Sequence, residues 1–182
     1  MKKSEKKFEN LFKQGKLLEA QDYLHEWLTE KPNSVWILSH IAHIYWCLKE
    51  YDKALSYSSR ALALDHVEPL VLWYHALILE SLGFVNQAFN IWGFLVARQA
   101  EVIGEIDCGE GVDWAKSLQV DCLFKMSSLT CELGELQESM HYFRRMKYRI
   151  NKGSKGIYSD DDIKNLQKRI KEKECISPNN KK

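Results

Sequence analysis

The sequence contains few residues that interrupt helices, and it contains no long apolar run. Only 3 prolines and 9 glycines occur among 182 residues, which leaves room for long helices. No apolar stretch approaches the roughly 18 residues that a membrane-spanning helix needs, so we expect no membrane span. Residues 1–7 are basic, but neither an apolar region nor a small-residue cleavage site follows them. A secretory signal is therefore not expected.

The cysteines do not form a recognisable framework. There are 5 of them, an odd number, and no two stand in the C-x-x-C spacing. We interpret them as reduced thiols in a cytoplasmic protein. Hydrophobic residues make up 45% of the chain and charged residues 28%, a composition that is typical of a globular protein and not of a disordered one.

Small residues recur at a fixed spacing within apolar helical patterns. Ala54 follows Ala20 by 34 residues, and Ala88 follows Ala54 by the same 34 residues. A constant period of this length predicts stacked helix–turn–helix repeats. We therefore predict an all-α fold, a right-handed α-solenoid of about four repeats with a C-terminal capping helix. The predicted segments are a single domain at 1–174, repeats at about 1–34, 35–68, 69–102 and 120–151, an insertion at 103–119, a capping helix at 159–174 and a disordered tail at 175–182.

The insertion follows from a break in the period. Ser139 takes the place of the recurring alanine, but it follows Ala88 by 51 residues instead of 34, so about 17 residues are inserted. Three glycines predict a loop at 104–111, and residues 112–118 should extend the first helix of the fourth repeat. The loop is acidic and lacks the lysine of a phosphate-binding loop, and it also lacks the alternating oxygen ligands of a calcium loop. Two interpretations stay open: a plain connection, or a loop that contacts a partner through Asp107, Glu110 and Trp114.

These repeats resemble tetratricopeptide repeats, whose pattern is W-x2-L-G-x2-Y, then A-x3-F, then P. The second unit reads Leu38-x2-Ile41-Ala42-x2-Tyr45 and then Ala54-x3-Ser58, and the third reads Leu72-x2-His75-Ala76-x2-Leu79 and then Ala88-x3-Trp92. The resemblance covers nearly all of residues 5–151. It implies a non-enzymatic scaffold, adaptor or chaperone that binds another protein and needs no cofactor or metal. Small bacterial chaperones of type III secretion translocators look similar, but no motif singles them out.

The resemblance also implies which side chains line a concave groove that holds a partner peptide or helix. The family uses five positions on the first helix of each repeat. In this sequence those positions hold Trp36, Ser39, His43, Trp46 and Cys47, then Leu70, Trp73, Leu77 and Glu80, then Asp121, Phe124, Ser128 and Cys131. A clamp for a C-terminal carboxylate is not expected, because the positions that hold its lysine, asparagine and arginine are occupied here by acids, histidines and aromatic residues. The alternative is that the tryptophans pack between repeats.

Two other functions were weighed against peptide binding. Residues 144–182 hold 13 basic and 5 acidic side chains, a net charge of +8, so this region could bind nucleic acid or an acidic partner. The chain could also be a non-catalytic subunit of a larger complex. His40 and His43 stand three residues apart on one predicted helix, but no third ligand is evident for a metal site. The sequence does not determine the oligomeric state.

Overall fold

The chain folds into successive helices. The computed structural model describes residues 3–106 and 111–176, and the secondary structure of these two ranges is helical, without strands. The predicted all-α class is confirmed. The helices are α1 Lys3–Lys13, α2 Leu17–Glu30, α3 Val35–Cys47, α4 Tyr51–Leu64, α5 Pro69–Ser81, α6 Val85–Ala97, α7 Ala100–Gly104, α8 Val112–Leu133, α9 Leu136–Asn151 and α10 Asp160–Ile176.

The same turn ends the first helix of each repeat. Gly15, Lys49, Gly83 and Gly134 all have positive φ angles, between 63° and 84°. In each turn the next residue donates its backbone N–H to the carbonyl five residues earlier, at 2.8–3.0 Å. This is the left-handed helix ending that glycine favours. Lys49 adopts it as well, although its Cβ disfavours that conformation.

Small residues lie where the two helices of a repeat cross. Ala42 and Ala54 are both fully buried, and so are Ala76 and Ala88, again twelve residues apart. In the fourth repeat two buried serines occupy the equivalent positions, Ser127 on α8 and Ser139 on α9. Each serine donates its hydroxyl to the main-chain carbonyl of the other, at 2.9 and 2.7 Å. The hydroxyls are thereby satisfied, and the close helix crossing is kept without alanine.

The chain divides into two compact units, residues 1–91 and residues 92–182, and each is described by itself. In the first unit, α1 packs on α2, α2 on α3, and α3 on both α4 and α5. Its core contains Phe8, Leu24, Ile37, Ile41 and Ile78, all no more than 3% exposed. In the second unit, α8 packs on α7 and α9, and α10 packs on both α8 and α9.

The inserted segment and the last helix take the form that their sequences indicate. Gly104 ends α7 so close to the start of α8 that an added Cβ would lie 2.6 Å from the carbonyl carbon of Gly111. In α10, Ile163, Leu166 and Ile170 are the buried residues, so the helix covers the repeat with one narrow apolar stripe. It continues to Ile176; residues 175 and 176, which we expected in a disordered tail, are therefore helical, and residues 177–182 lie outside the described part.

Candidate functional site

The residues predicted to line the groove differ in exposure. Trp36, His43 and Trp46 on α3 and Leu70 and Glu80 on α5 are half-buried, whereas Ser39 on α3 is 1% exposed. On α5, Trp73 and Leu77 are each only 6% exposed, so they offer almost no surface to a partner. Phe124 on α8 is half-buried and belongs to the other compact unit.

The half-buried tryptophans of α3 belong to a continuous set of stacked rings in the first unit. We call this set the aromatic array; its members are Phe8, Phe12, Trp27, Trp36, His40, His43, Trp46 and Tyr74. The ring of Trp36 stacks on His40 with 3.9 Å between centroids, and His43 stacks on Tyr74 at 4.2 Å. Helix α1 contributes the rings of Phe8, 4.8 Å from His40, and Phe12, 5.1 Å from His43. Rings from four helices are therefore held together by contacts typical of aromatic pairs.

The two histidines of the aromatic array are neutral at physiological pH. Desolvation lowers the pKa of His40 from 6.5 to about 4, although its contact with the Trp36 carbonyl and the negative charges of Glu9 and Glu5 act in the opposite direction. Desolvation and repulsion from His40 lower the pKa of His43 to about 3. The His40 ring nitrogen Nδ1 lies 2.8 Å from the carbonyl oxygen of Trp36. Because the imidazole is neutral, this nitrogen is its donor, and the contact fixes the ring on α3.

The exposed end of the aromatic array is fixed by a hydrogen bond. The indole Nε1 of Trp46 donates to the hydroxyl of Ser81 on α5 at 2.8 Å, and that hydroxyl donates to the carbonyl of Leu77 at 2.9 Å. The ring of His43 stacks beside Trp46, with 5.9 Å between centroids. Trp46 is thus held in one orientation while it stays half-buried.

Sequence analysis placed three members of the aromatic array, Trp36, His43 and Trp46, in the predicted groove and left out the other five. The family pattern considers fixed positions on the first helix of each repeat. It therefore passes over rings that reach the same surface from neighbouring helices. A helical spacing was nevertheless visible, since residues 36, 40 and 43 share one face of α3, and residues 8 and 12 share one face of α1.

In the second unit the connection between α9 and α10 covers the face of α8 that carries Phe124. The ring of Tyr158 stacks on Phe124, with 3.8 Å between centroids. Next to it, the backbone N–H of Ile157 donates to Oδ1 of Asp121 at 2.8 Å. Asp121 is 4% exposed, and burial raises its pKa to about 7 despite that hydrogen bond. A segment of the same chain therefore occupies the face that the resemblance assigns to a partner.

The remaining predicted residues belong to the insertion. Asp107 and Glu110 lie outside the described residues, so their part in a partner-contact loop stays a prediction. Trp114 lies in the first turn of α8 and is half-buried. Within residues 3–106 and 111–176, no three histidine, cysteine or acidic side chains are grouped as metal ligands. None of the helices in these ranges combines the length and apolarity required to cross a bilayer.

Solved structures with the same arrangement of helices are tetratricopeptide-like. A tetratricopeptide repeat protein from Parabacteroides merdae matches with a TM-score of 0.51 and 14% identity, over 92% of this chain and 70% of that chain. A double mutant of MamA RS-1 matches with a TM-score of 0.50 and 15% identity, over 97% of both chains. MamA from residue 41 to its end, from Desulfovibrio magneticus RS-1, has the same TM-score and identity over 100% of this chain and 99% of that chain.

No family model matches the sequence, and no curated protein matches it significantly. At 14–15% identity the structural matches speak for the fold alone. They agree with the 34-residue period, with the recurring left-handed turns and with the small residues at the helix crossings. By its fold, the chain is a tetratricopeptide-repeat-like protein, an all-α solenoid of helix–turn–helix repeats with a C-terminal capping helix.

Proposed function

We propose that this protein is a non-catalytic scaffold that holds a segment of another protein against the half-buried part of the aromatic array. Trp36, His43, Trp46 and Tyr74 form that part, on α3 and α5. Half-buried aromatic rings present large apolar surface at little cost in side-chain entropy, and tryptophan and tyrosine dominate the energetics of protein interfaces. This concentration of rings on two adjacent helices is the observation on which the proposal depends.

The rings are already ordered before a partner arrives. Trp36 is stacked on His40, and Trp46 is both stacked beside His43 and hydrogen-bonded to Ser81. A partner therefore does not have to immobilise them, and less of the binding free energy is lost to ordering. Each apolar side chain that a partner buries on this surface would contribute about 1.5–3 kcal/mol.

The chemistry of the aromatic array indicates which segment it would hold. His40 and His43 are neutral, and the charges nearest to His40 are the carboxylates of Glu5 and Glu9. A terminal carboxylate would be repelled here, so a peptide with apolar or aromatic anchors fits better. An adaptor or chaperone role in the cytoplasm belongs to the same proposal, and it is supported by the resemblance to the repeat family and by the cysteine pattern.

The test is affinity capture from the native host, with identification of the bound protein and measurement of its affinity. The variant Trp46→Ala removes one exposed anchor of the aromatic array. Phe84→Ala is the matched control, since Phe84 follows α5, is 49% exposed and does not belong to the array. We expect Trp46→Ala to weaken binding by at least about tenfold, which corresponds to 1.4 kcal/mol, while Phe84→Ala binds normally. Helicity by circular dichroism should be unchanged in both.

Equal affinity of the wild type, Trp46→Ala and Phe84→Ala would show that the aromatic array is not the binding surface. Loss of helicity in Trp46→Ala would instead assign Trp46 to the packing of the first unit. In that case Trp36→Ala, at the other end of α3, provides the second measurement of binding.

A further inference from the structure

A pocket of about 290 Å³ in the second unit is lined mainly by cationic side chains. It lies where residues 98–101, the first part of α8 and the end of α9 meet. Arg98, Lys116, Arg149 and Lys152 line it, and among the described lining residues Glu101 is the acidic one. Four cations and one carboxylate give this small volume a formal charge of +3, which favours an anionic ligand.

The cations of this pocket are held near one another by the fold. The Arg98 guanidinium lies over the ring of Phe94, 5.4 Å from its centroid, and the Lys152 ammonium lies over the ring of Tyr148 at 5.9 Å. Burial lowers the pKa of Arg149, and repulsion from Arg145 lowers it further. A bound anion would offset both effects, because it would replace lost hydration and neutralise the crowded positive charge.

Gln119 fixes the wall of the pocket. Its side chain is 1% exposed, and its Nε2 donates to the carbonyls of Leu95 and Arg98 at 3.0 and 2.7 Å. These bonds hold the main chain that carries Arg98 against α8. They also fix the orientation of the amide, because Nε2 must be the atom that faces the two carbonyls. The other amide atom, Oε1, is buried and has no hydrogen-bond partner among the described residues, so it remains as an acceptor for a ligand hydroxyl or a water.

A second pocket adjoins the first. It has a volume of about 270 Å³ and shares Lys116, Lys152 and Ser154 with it. A ligand whose anionic group lies in the first pocket therefore has room for its remaining atoms in the second. The segment that joins α7 to α8 belongs to the insertion, which interrupts the 34-residue period, so a regular array of these repeats would not contain the wall that carries Glu101.

We propose that this pocket binds the phosphoryl group of a phosphomonoester. A dianion matches the charge of +3 better than a carboxylate does, and its several oxygens can accept hydrogen bonds from guanidinium and ammonium groups on three sides. The site lies wholly in the second unit, so its ligand and the peptide-binding surface of the first unit are tested separately.

Titration calorimetry of the full chain with phenyl phosphate at pH 8 tests the proposal. We expect saturable binding by the wild type, and weakening by at least about tenfold in both Arg149→Gln and Lys152→Gln, because each loses a charge-assisted hydrogen bond. Lys168→Gln is the matched control, since it removes one positive charge from α10, where the Lys168 side chain is 74% exposed. Its affinity should stay within about twofold of the wild type. Circular dichroism of each variant verifies its folding.

Two further ligands define the chemistry. Benzoate presents one negative charge on a similar ring and should bind at least about tenfold more weakly than phenyl phosphate. A phosphoserine peptide distinguishes the source of the phosphoryl group: tighter binding than phenyl phosphate indicates a phosphorylated protein, and weaker binding indicates a small phosphomonoester. Either result supports the site. The proposal fails if phenyl phosphate shows no saturable binding up to about 10 mM, if benzoate binds equally well, or if Lys168→Gln weakens binding as much as Arg149→Gln.

Discussion

The enclosure of His40 and His43 in the aromatic array should make the first unit sensitive to acid. Both side chains are neutral in the folded protein, with pKa values lowered to about 4 and about 3, whereas an unfolded histidine has a pKa of 6.5. Below pH 6.5 the unfolded chain binds protons that the folded chain does not bind. The stabilising contribution is therefore present above pH 6.5 and is lost as the pH falls towards the folded pKa values.

The loss can be calculated for each histidine. Between pH 7 and pH 5 the free energy of unfolding should fall by about 2 kcal/mol per histidine, since over this range the result depends mainly on the unfolded pKa. We therefore expect His43→Phe, which keeps a ring between Phe12 and Tyr74, to reduce the acid-induced loss of stability by about 2 kcal/mol. Urea unfolding followed by circular dichroism at the two pH values measures the difference. Asp121 is common to both proteins, so its own titration cancels.

A second variant separates titration from packing. His43→Asn removes the titrating group and also the stacked ring. It should show the same reduced pH dependence as His43→Phe, but it should be less stable at pH 7 by about 1–3 kcal/mol because the contacts with Phe12 and Tyr74 are lost. If wild type and both variants lose equal stability between pH 7 and pH 5, His43 titrates freely in the folded protein and the enclosure is refuted.

Three further substitutions test other parts of the structure. The pKa of Asp121 is raised to about 7, so the folded state retains a proton that the unfolded state releases above pH 3.8, and stability falls as the pH rises through 7. Asp121→Asn should therefore unfold at higher denaturant concentration than the wild type at pH 8, by on the order of 3 kcal/mol, and this advantage should vanish near pH 4. Lys49→Gly should raise the free energy of unfolding by about 0.5–1 kcal/mol because it relieves the positive φ angle, whereas Gly83→Ala should lower it by about 1 kcal/mol. Gly104→Ala should lower the thermal midpoint, at a cost of about 1–3 kcal/mol, because the new Cβ meets main-chain atoms that cannot move aside easily. For each variant, a shift of the opposite sign in the same unfolding experiment would contradict the argument.

Local signals in the sequence were sufficient for the architecture. The helix ends depend on nearby residues: Ser34 accepts a hydrogen bond from the N–H of Ile37, and Ser159 exchanges hydrogen bonds with Asp162. The repeat register depends on small residues at a constant interval, which a sequence displays directly. These features could be predicted because each is determined within a few residues or by one period.

The exposure of the candidate site could not be predicted in the same way. Trp73 and Trp46 occupy equivalent kinds of position on successive helices, yet Trp73 is 6% exposed and Trp46 is half-buried. Burial depends on how the neighbouring helices cross, and the family pattern does not specify this for a given chain. The stacking of Tyr158 on Phe124 joins residues 34 apart through a loop that has no periodic signal.

The connection between α9 and α10 has a consequence for shortened forms of this protein. Residues 157 and 158 shield a phenyl ring and a carboxyl group that would otherwise face water. A chain that stops at residue 154 would uncover both, together with the apolar side of α8 and α9 that the last helix protects. Such a truncated form should self-associate or require a surrogate peptide to remain dispersed, so the final repeat depends on its own following segment.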